Sequence, residues 1–218
     1  MSDAERRGVF ITFEGVEGSG KSTQAGRLAE TLKERGHDVT LTREPGGTSL
    51  GERIREILLD LGERGMLPEA ELFLYLASRS EHVARVIEPA LSSGGIVIAD
   101  RYGDASVAYQ GGGRSLGAAL VERLNQVATR GVKPDVTFLL DLEPGSGLGR
   151  LSMRGVGERD RIESEELAFH ERVREAYLQA AAREPARFEV LDASLSPDEL
   201  SLAVVARVEQ LLGSRTEG

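Results

Sequence analysis

The 218-residue chain has no cysteine and no tryptophan. It has only three lysines and three histidines, and aromatic side chains make up 5% of it. Without cysteine there is no disulfide framework and no thiolate metal site. His37, His82 and His170 are scattered along the chain, which argues against a histidine-based metal centre. No apolar run approaches the roughly 20 residues that span a bilayer. The polar start Met1–Gly8 has no signal-peptide core, so a cytoplasmic protein without membrane contact is expected. The net charge of −9 is not the basic footprint of a nucleic-acid binder. An anionic ligand must therefore be met by a local cluster of cations. All but three of the 27 basic residues are arginine. Coding bias explains that count, and the positions of particular arginines carry the information. Hydrophobic content of 40% with 29% charged residues fits a single globular domain over 1–218.

One of the few lysines closes a pattern. Gly15-Val16-Glu17-Gly18-Ser19-Gly20-Lys21-Ser22 has the G-x-x-x-x-G-K-[ST] spacing of a phosphate-binding P-loop. The apolar run Val9–Phe13 precedes it as a strand, and Ser22–Arg35 follows with helical composition. Glycines let successive backbone N–H groups turn inward onto phosphate oxygens. Lys21 adds a charge at the β/γ-phosphates, and the Ser22 hydroxyl, followed by Thr23, is placed to hold Mg²⁺. The helix beneath contributes its positive dipole end.

Strand patterns fall at Val9–Phe13, Val39–Thr42, Ile96–Ala99, Val136–Leu140 and Phe188–Leu191. Helical patterns fall at Lys21–Arg35, Gly51–Asp60, Pro68–Ser92, Leu116–Arg130, Ser146–Met153, Ser164–Arg183 and Pro197–Leu212. Strands alternating with helices predict a five-stranded parallel sheet in an α/β three-layer sandwich of the P-loop NTPase type. Gly111-Gly112-Gly113 and Lys133-Pro134-Asp135 read as turns. The charged, glycine-containing stretch Arg154–Arg161 suits a mobile lid over about 150–162, its arginines directed at a transferring phosphoryl group. Asp100, at the carboxyl end of a buried strand, is a candidate for the Mg²⁺ shell. Asp100-Arg101-Tyr102-Gly103 and Val132-Lys133-Pro134-Asp135 imitate two GTPase motifs. The second lacks the Asn or Thr that reads guanine, and its Pro-Asp is a natural turn.

The P-loop, Thr42-Arg43-Glu44-Pro45-Gly46-Gly47-Thr48, Leu76-Ala77-Ser78-Arg79, Asp100-Arg101-Tyr102, Ala108-Tyr109-Gln110-Gly111 and Asp160-Arg161-Ile162-Glu163 occur in this order. As an ordered set, from about Val9 to Asp192, they resemble the bacterial thymidylate kinase family. The resemblance implies transfer of a phosphoryl group from Mg-ATP to dTMP, giving dTDP. It also implies a homodimer built through helices on one sheet face. By position, Arg55 and Arg101 would hold the acceptor phosphate, with Arg43 assisting. Glu17 would lie by the acceptor's 3′-hydroxyl and phosphate. Because Gly18 stands where some members carry an arginine, the catalytic arginine would come from the lid: Arg154 first, with Arg150 and Arg159 as alternatives. Arg79 would donate to thymine O4, Ser106 and Gln110 would address the pyrimidine edge, Tyr109 would exclude a ribose 2′-hydroxyl, and Tyr75 would stack on the base. A kinase for another small nucleotide, or a GTP-binding switch, are the competing readings.

Overall fold

The computed structural model describes residues 8–153 and 160–216. Its strands are β1 (Val9–Glu14), β2 (Val39–Arg43), β3 (Ile96–Asp100), β4 (Val136–Asp141) and β5 (Phe188–Asp192). They form one sheet in the order β2-β3-β1-β4-β5, and every pairing is parallel. The expected five-stranded parallel sheet is thus present, each strand running one residue past its apolar pattern. The extra residues are Glu14, Arg43, Asp100, Asp141 and Asp192. All of them are charged, and they line the edge where open parallel sheets bind ligands.

All six residues of β1 are buried because helices cover both faces of the sheet. On one face, α1 (Lys21–Glu34) and α9 (Pro197–Thr216) press Leu28, Leu32, Val204 and Val208 onto Ile11, Phe13, Ile98 and Phe138. The Phe13 and Phe138 rings stack with centroids 5.2 Å apart. On the other face, Val83, Ile87 and Leu91 meet Phe10, Val97 and Ala99. Each such side chain taken out of water contributes on the order of 1.5–3 kcal/mol. The other helices are α2 (Ser49–Leu59), α3 (Pro68–His82), α4 (Glu88–Ser92), α5 (Gly103–Ser106), α6 (Ala118–Ala128), α7 (Pro144–Met153) and α8 (Leu167–Arg183).

One helical and one turn expectation differ from the structure. The run Pro68–Ser92 is not uniformly α-helical: Val83–Ile87 is a π-helical turn between α3 and α4. Pro89 cannot donate to the carbonyl four residues back, and the register loosens just ahead of it. The second concerns Gly111-Gly112-Gly113, read as a turn. It lies instead inside a π-helical stretch, Val107–Gly113, that continues α5. A Cβ on Gly112 would stand 2.5 Å from Ala176 Cβ, and one on Gly113 would stand 2.6 Å from the Phe169 ring. The glycines are there to let this segment lie against α8, and that tertiary contact overrides their poor helix propensity. The segment carries Ser106, Tyr109 and Gln110 at its buried side.

Candidate active site

The loop after β1 sits over the sheet's central strand. A Cβ on Gly18 would fall 2.3 Å from the Gly147 carbonyl oxygen, so α7 lies directly on the loop. Lys21 folds back, its Nζ donating to the Val16 carbonyl at 2.8 Å and to Ser19 Oγ at 3.3 Å. Ser22 Oγ donates to Asp100 Oδ2, so the two expected Mg²⁺ ligands are adjacent. A hydroxyl and a carboxylate are hard oxygen donors, and a magnesium site completes its shell with water and phosphate oxygens. The residues present therefore fit the ion. Gly15, Gly20 and Thr23 complete the loop and the first turn of α1.

Arg101 is the centre of the arrangement. Its backbone adopts φ +72°, a strained region for a residue with a side chain. The turn is held by Arg101 N on the Phe13 carbonyl at 3.0 Å and by Tyr102 N on Glu14 Oε1 at 2.7 Å. The guanidinium donates to the Gly15 carbonyl at 3.0 Å, Glu17 Oε1 at 2.8 Å and the Tyr109 oxygen at 3.0 Å. It lies over the Tyr109 ring at 4.8 Å. Tyr109 in turn donates to Glu17 Oε1 at 2.6 Å. Burial pushes the Glu17 carboxyl up, but Arg101, the adjacent His170 ring, Lys21 and the hydrogen bond from Tyr109 outweigh it and hold it well below the usual carboxylate range. Burial, then the Arg101 charge, brings the Lys21 ammonium down to about 8. Glu14, beneath the turn, is raised to about 8 by burial and by Asp104.

Next to Arg101 is a cavity of about 60 Å³ whose lining includes Glu17, Tyr75, Arg101, Ser106, Tyr109 and Gln110. All six were singled out from the sequence. Asp160 and Ile162 line it as well. A larger cleft of about 680 Å³, among Arg123, Lys133, Arg183 and Arg187, contains none of the expected site residues. Size is not what marks the site here; the convergence of polar groups is.

Arg79 is placed differently from the expectation of a direct base contact. It is 1% exposed and does not line the cavity. Its Nε donates to Glu44 Oε2 at 2.7 Å, Nη1 to Ser106 Oγ at 2.9 Å and Asn125 Oδ1 at 2.6 Å, and Nη2 to the Tyr102 carbonyl at 3.0 Å. It stands one layer behind Ser106. Gln110 Nε2 donates to Glu71 Oε1 at 2.8 Å. Arg114 and Arg161 also bind Glu71 and, against its burial, keep its pKa low. Glu44, Glu71, Asn125 and Arg161 are the supporting residues that sequence reasoning missed. Glu44 and Arg161 do lie within the quoted motifs, whereas nothing in the sequence marks Asn125.

Arg43 pairs with Glu52 at 2.8 Å, and Arg55 donates to the Pro45 carbonyl at 3.0 Å. Burial and the neighbouring Arg43 charge lower the Arg55 pKa, as happens where two cations are held together to receive an anion. Of the lid candidates, Arg150 donates to the Ala193 carbonyl at 3.0 Å, with the Gly18 carbonyl at 3.5 Å. Arg154 and Arg159 lie outside the described residues.

A phosphate loop on the central strand of a parallel sheet, beside an arginine-faced cavity, defines a P-loop kinase fold. The thymidylate kinase family model matches residues 13–204. The chain therefore belongs to the thymidylate kinase family. It is 56% identical to a thymidylate kinase of Oleidesulfovibrio alaskensis, over 88% of this chain and 93% of that one. It is 51% identical to one of Nitratidesulfovibrio vulgaris strain DP4, over 96% of each. The crystal structure of thymidylate kinase from Ehrlichia chaffeensis superposes with a TM-score of 0.75 at 34% identity, covering 93% of this chain and 99% of that chain.

Lys21 gives a pH test of the loop. A base with a folded value near 8 releases its proton above that pH, and binding of a polyphosphate must restore it. Affinity for a nucleoside triphosphate is expected to fall by up to about tenfold between pH 7.5 and pH 9. Calorimetry in buffers of different ionisation enthalpy should register proton uptake at pH 9. Constant affinity without uptake would mean that Lys21 stays charged throughout.

Proposed function

We propose that this protein transfers the γ-phosphoryl group of ATP to the 5′-phosphate of dTMP, yielding ADP and dTDP. The observation that carries the reading is the joining of the P-loop to the small cavity through one residue pair, Arg101 and Glu17, in a chain of this family. The attacking oxygen of a nucleoside monophosphate is already ionised at pH 7, so no general base is needed. The work is positioning and charge neutralisation. ATP and dTMP bring about six negative charges together, and a Mg²⁺ held by Ser22 and Asp100 would offset two of them. Lys21 and the loop N–H groups, including those of Val16, Gly18 and Ser19, hold the donor phosphates. Arg101, Arg55 and Arg43 take the acceptor phosphate, guanidinium forks being suited to phosphate oxygens. Glu17 addresses the acceptor sugar. Arg154 supplies the lid charge at the transferring group.

The hydrogen-bond pattern favours thymine. Ser106 Oγ accepts from Arg79, which leaves its own hydrogen to donate to thymine O4. Glu71, held as a carboxylate by two arginines, can only accept, so Gln110 must turn its amide nitrogen to it. The Gln110 oxygen is then left to accept from thymine N3–H. Cytosine reverses both groups, presenting donor to donor and acceptor to acceptor. Such mismatches give strong discrimination. Tyr75 stacks on the base, and Tyr109 closes the space of a ribose 2′-hydroxyl.

ADP release from Mg-ATP is the first test, with dTMP, dUMP, dCMP, UMP, dGMP or no acceptor. Turnover should require dTMP and be slight with dCMP and UMP. Ser106→Ala should narrow the dTMP-over-dCMP preference by roughly tenfold. Equal turnover without acceptor would support a switch rather than a kinase.

The homodimer also belongs to this proposal. Leu50 and Ile57 of α2, Phe73 of α3 and Val127 of α6 are apolar and exposed on neighbouring helices, a grouping suited to a shared interface. Sedimentation at micromolar concentration should give twice the chain mass. A single-chain mass would remove the dimer from the account.

A further inference from the structure

Among the described residues, four buried side-chain polar atoms have no hydrogen-bond partner: Glu17 Oε2, Arg161 Nη2 and both ring nitrogens of His170. Three of the four meet at one place. His170 Nδ1 stands 3.2 Å from Glu17 Oε2, close enough for a hydrogen bond but without its alignment. His170 is 1% exposed and is flanked by the Phe169 ring at 5.3 Å, nearly perpendicular. Buried polar atoms are nearly always paired, and leaving both a donor and an acceptor unsatisfied in contact is costly. The exception lies against the acid of the P-loop.

The other oxygen of the same carboxylate is fully occupied. Oε1 accepts from both Arg101 and Tyr109. In the reaction proposed above, on which this inference rests, Arg101 serves the acceptor phosphate. Glu17 then shares its main cation just as a dianion arrives beside it. A carboxylate released at that moment would swing or repel the incoming phosphate. We infer that His170 is the positioning residue for Glu17: a small rotation aligns its Nδ1–H with Oε2 as Arg101 turns to the phosphate, and the carboxylate keeps its place by the acceptor sugar. A hydrogen on Nδ1 supplies the donor that Oε2 lacks, while Nε2 stays without a partner. Two side chains from α8 share this task with the loop, since Tyr177 of the same helix also touches Arg101, at 3.3 Å.

The test is a double-mutant cycle with full kinetics. His170→Leu is expected to lower kcat with dTMP roughly fivefold to tenfold, the loss of one hydrogen bond to a charged group, while KM for ATP stays unchanged. His170→Asn places an amide N–H near the Nδ1 position and should recover most of the loss. In a Glu17→Ala background, His170→Leu should add nothing, because the histidine acts through the acid. Thermal melts of all variants separate unfolding from mispositioning. The inference is overturned if His170→Leu turns over like the parent, if asparagine is as slow as leucine, or if the leucine penalty recurs in full without Glu17. Should Glu17→Ala itself be unimpaired, the reading of the acid fails and this inference fails with it. If only the histidine variants behave otherwise than expected, the proposed function stands.

Discussion

The ion pair between Glu17 and Arg101, 2.8 Å long and largely shielded from water, is the contact on which the site depends. A carboxylate inside a phosphate-binding loop is an electrostatic liability, because it faces the same anions as the loop. Paired with Arg101 it becomes a means of holding that guanidinium at the junction of loop and cavity. The pair in turn needs the strained backbone of Arg101, and that strain is supported from below. Phe13, Glu14 and Tyr102 clamp the turn, and Tyr177 and Tyr109 complete the cage. Such a pair breaks even only if its remaining lone pairs and protons are met, and here Glu17 Oε2 is the atom left without a partner.

Two groups of arginines differ by their place in the fold. Arg79 with Glu44, Arg114 and Arg161 with Glu71, and Arg187 with Asp104 are anchored on carboxylates within the fold. These charges spend their hydrogen bonds on structure, as Arg79 does on Ser106, Asn125 and the Tyr102 carbonyl. Arg43, Arg55 and Arg101 lie toward the carboxyl end of the strands, where Arg43 pairs with Glu52, Arg101 with Glu17 and Arg55 with the Pro45 carbonyl. In a chain of net charge −9, these three cations are gathered near the strand ends.

Much of this was legible from the residues. The strands were, because apolar runs bounded by turn residues have few other readings. The phosphate loop was, because its spacing is specific and its flanks agreed. The cavity's Tyr75, Ser106, Tyr109 and Gln110 were reached only through the ordered motifs, since none of them is distinctive alone. The helix carrying three of these was missed, because Gly111-Gly112-Gly113 obeys a contact with α8 that no local pattern shows. The depth of Arg79 was missed for the same reason. Burial of a charged residue is set by partners such as Glu44 and Asn125, which lie 35 and 46 residues away in sequence.

The central claim is that Arg101, held by Glu17, receives the acceptor's phosphate. Calorimetric titration of dTMP and of thymidine into the parent and into Arg101→Lys tests it most directly. A lysine keeps the charge but not the fork. The account predicts that dTMP affinity falls roughly 10- to 100-fold, the value of a charge-assisted bidentate contact, while thymidine binding is unchanged. Equal losses for both ligands, or no loss for dTMP, would contradict it.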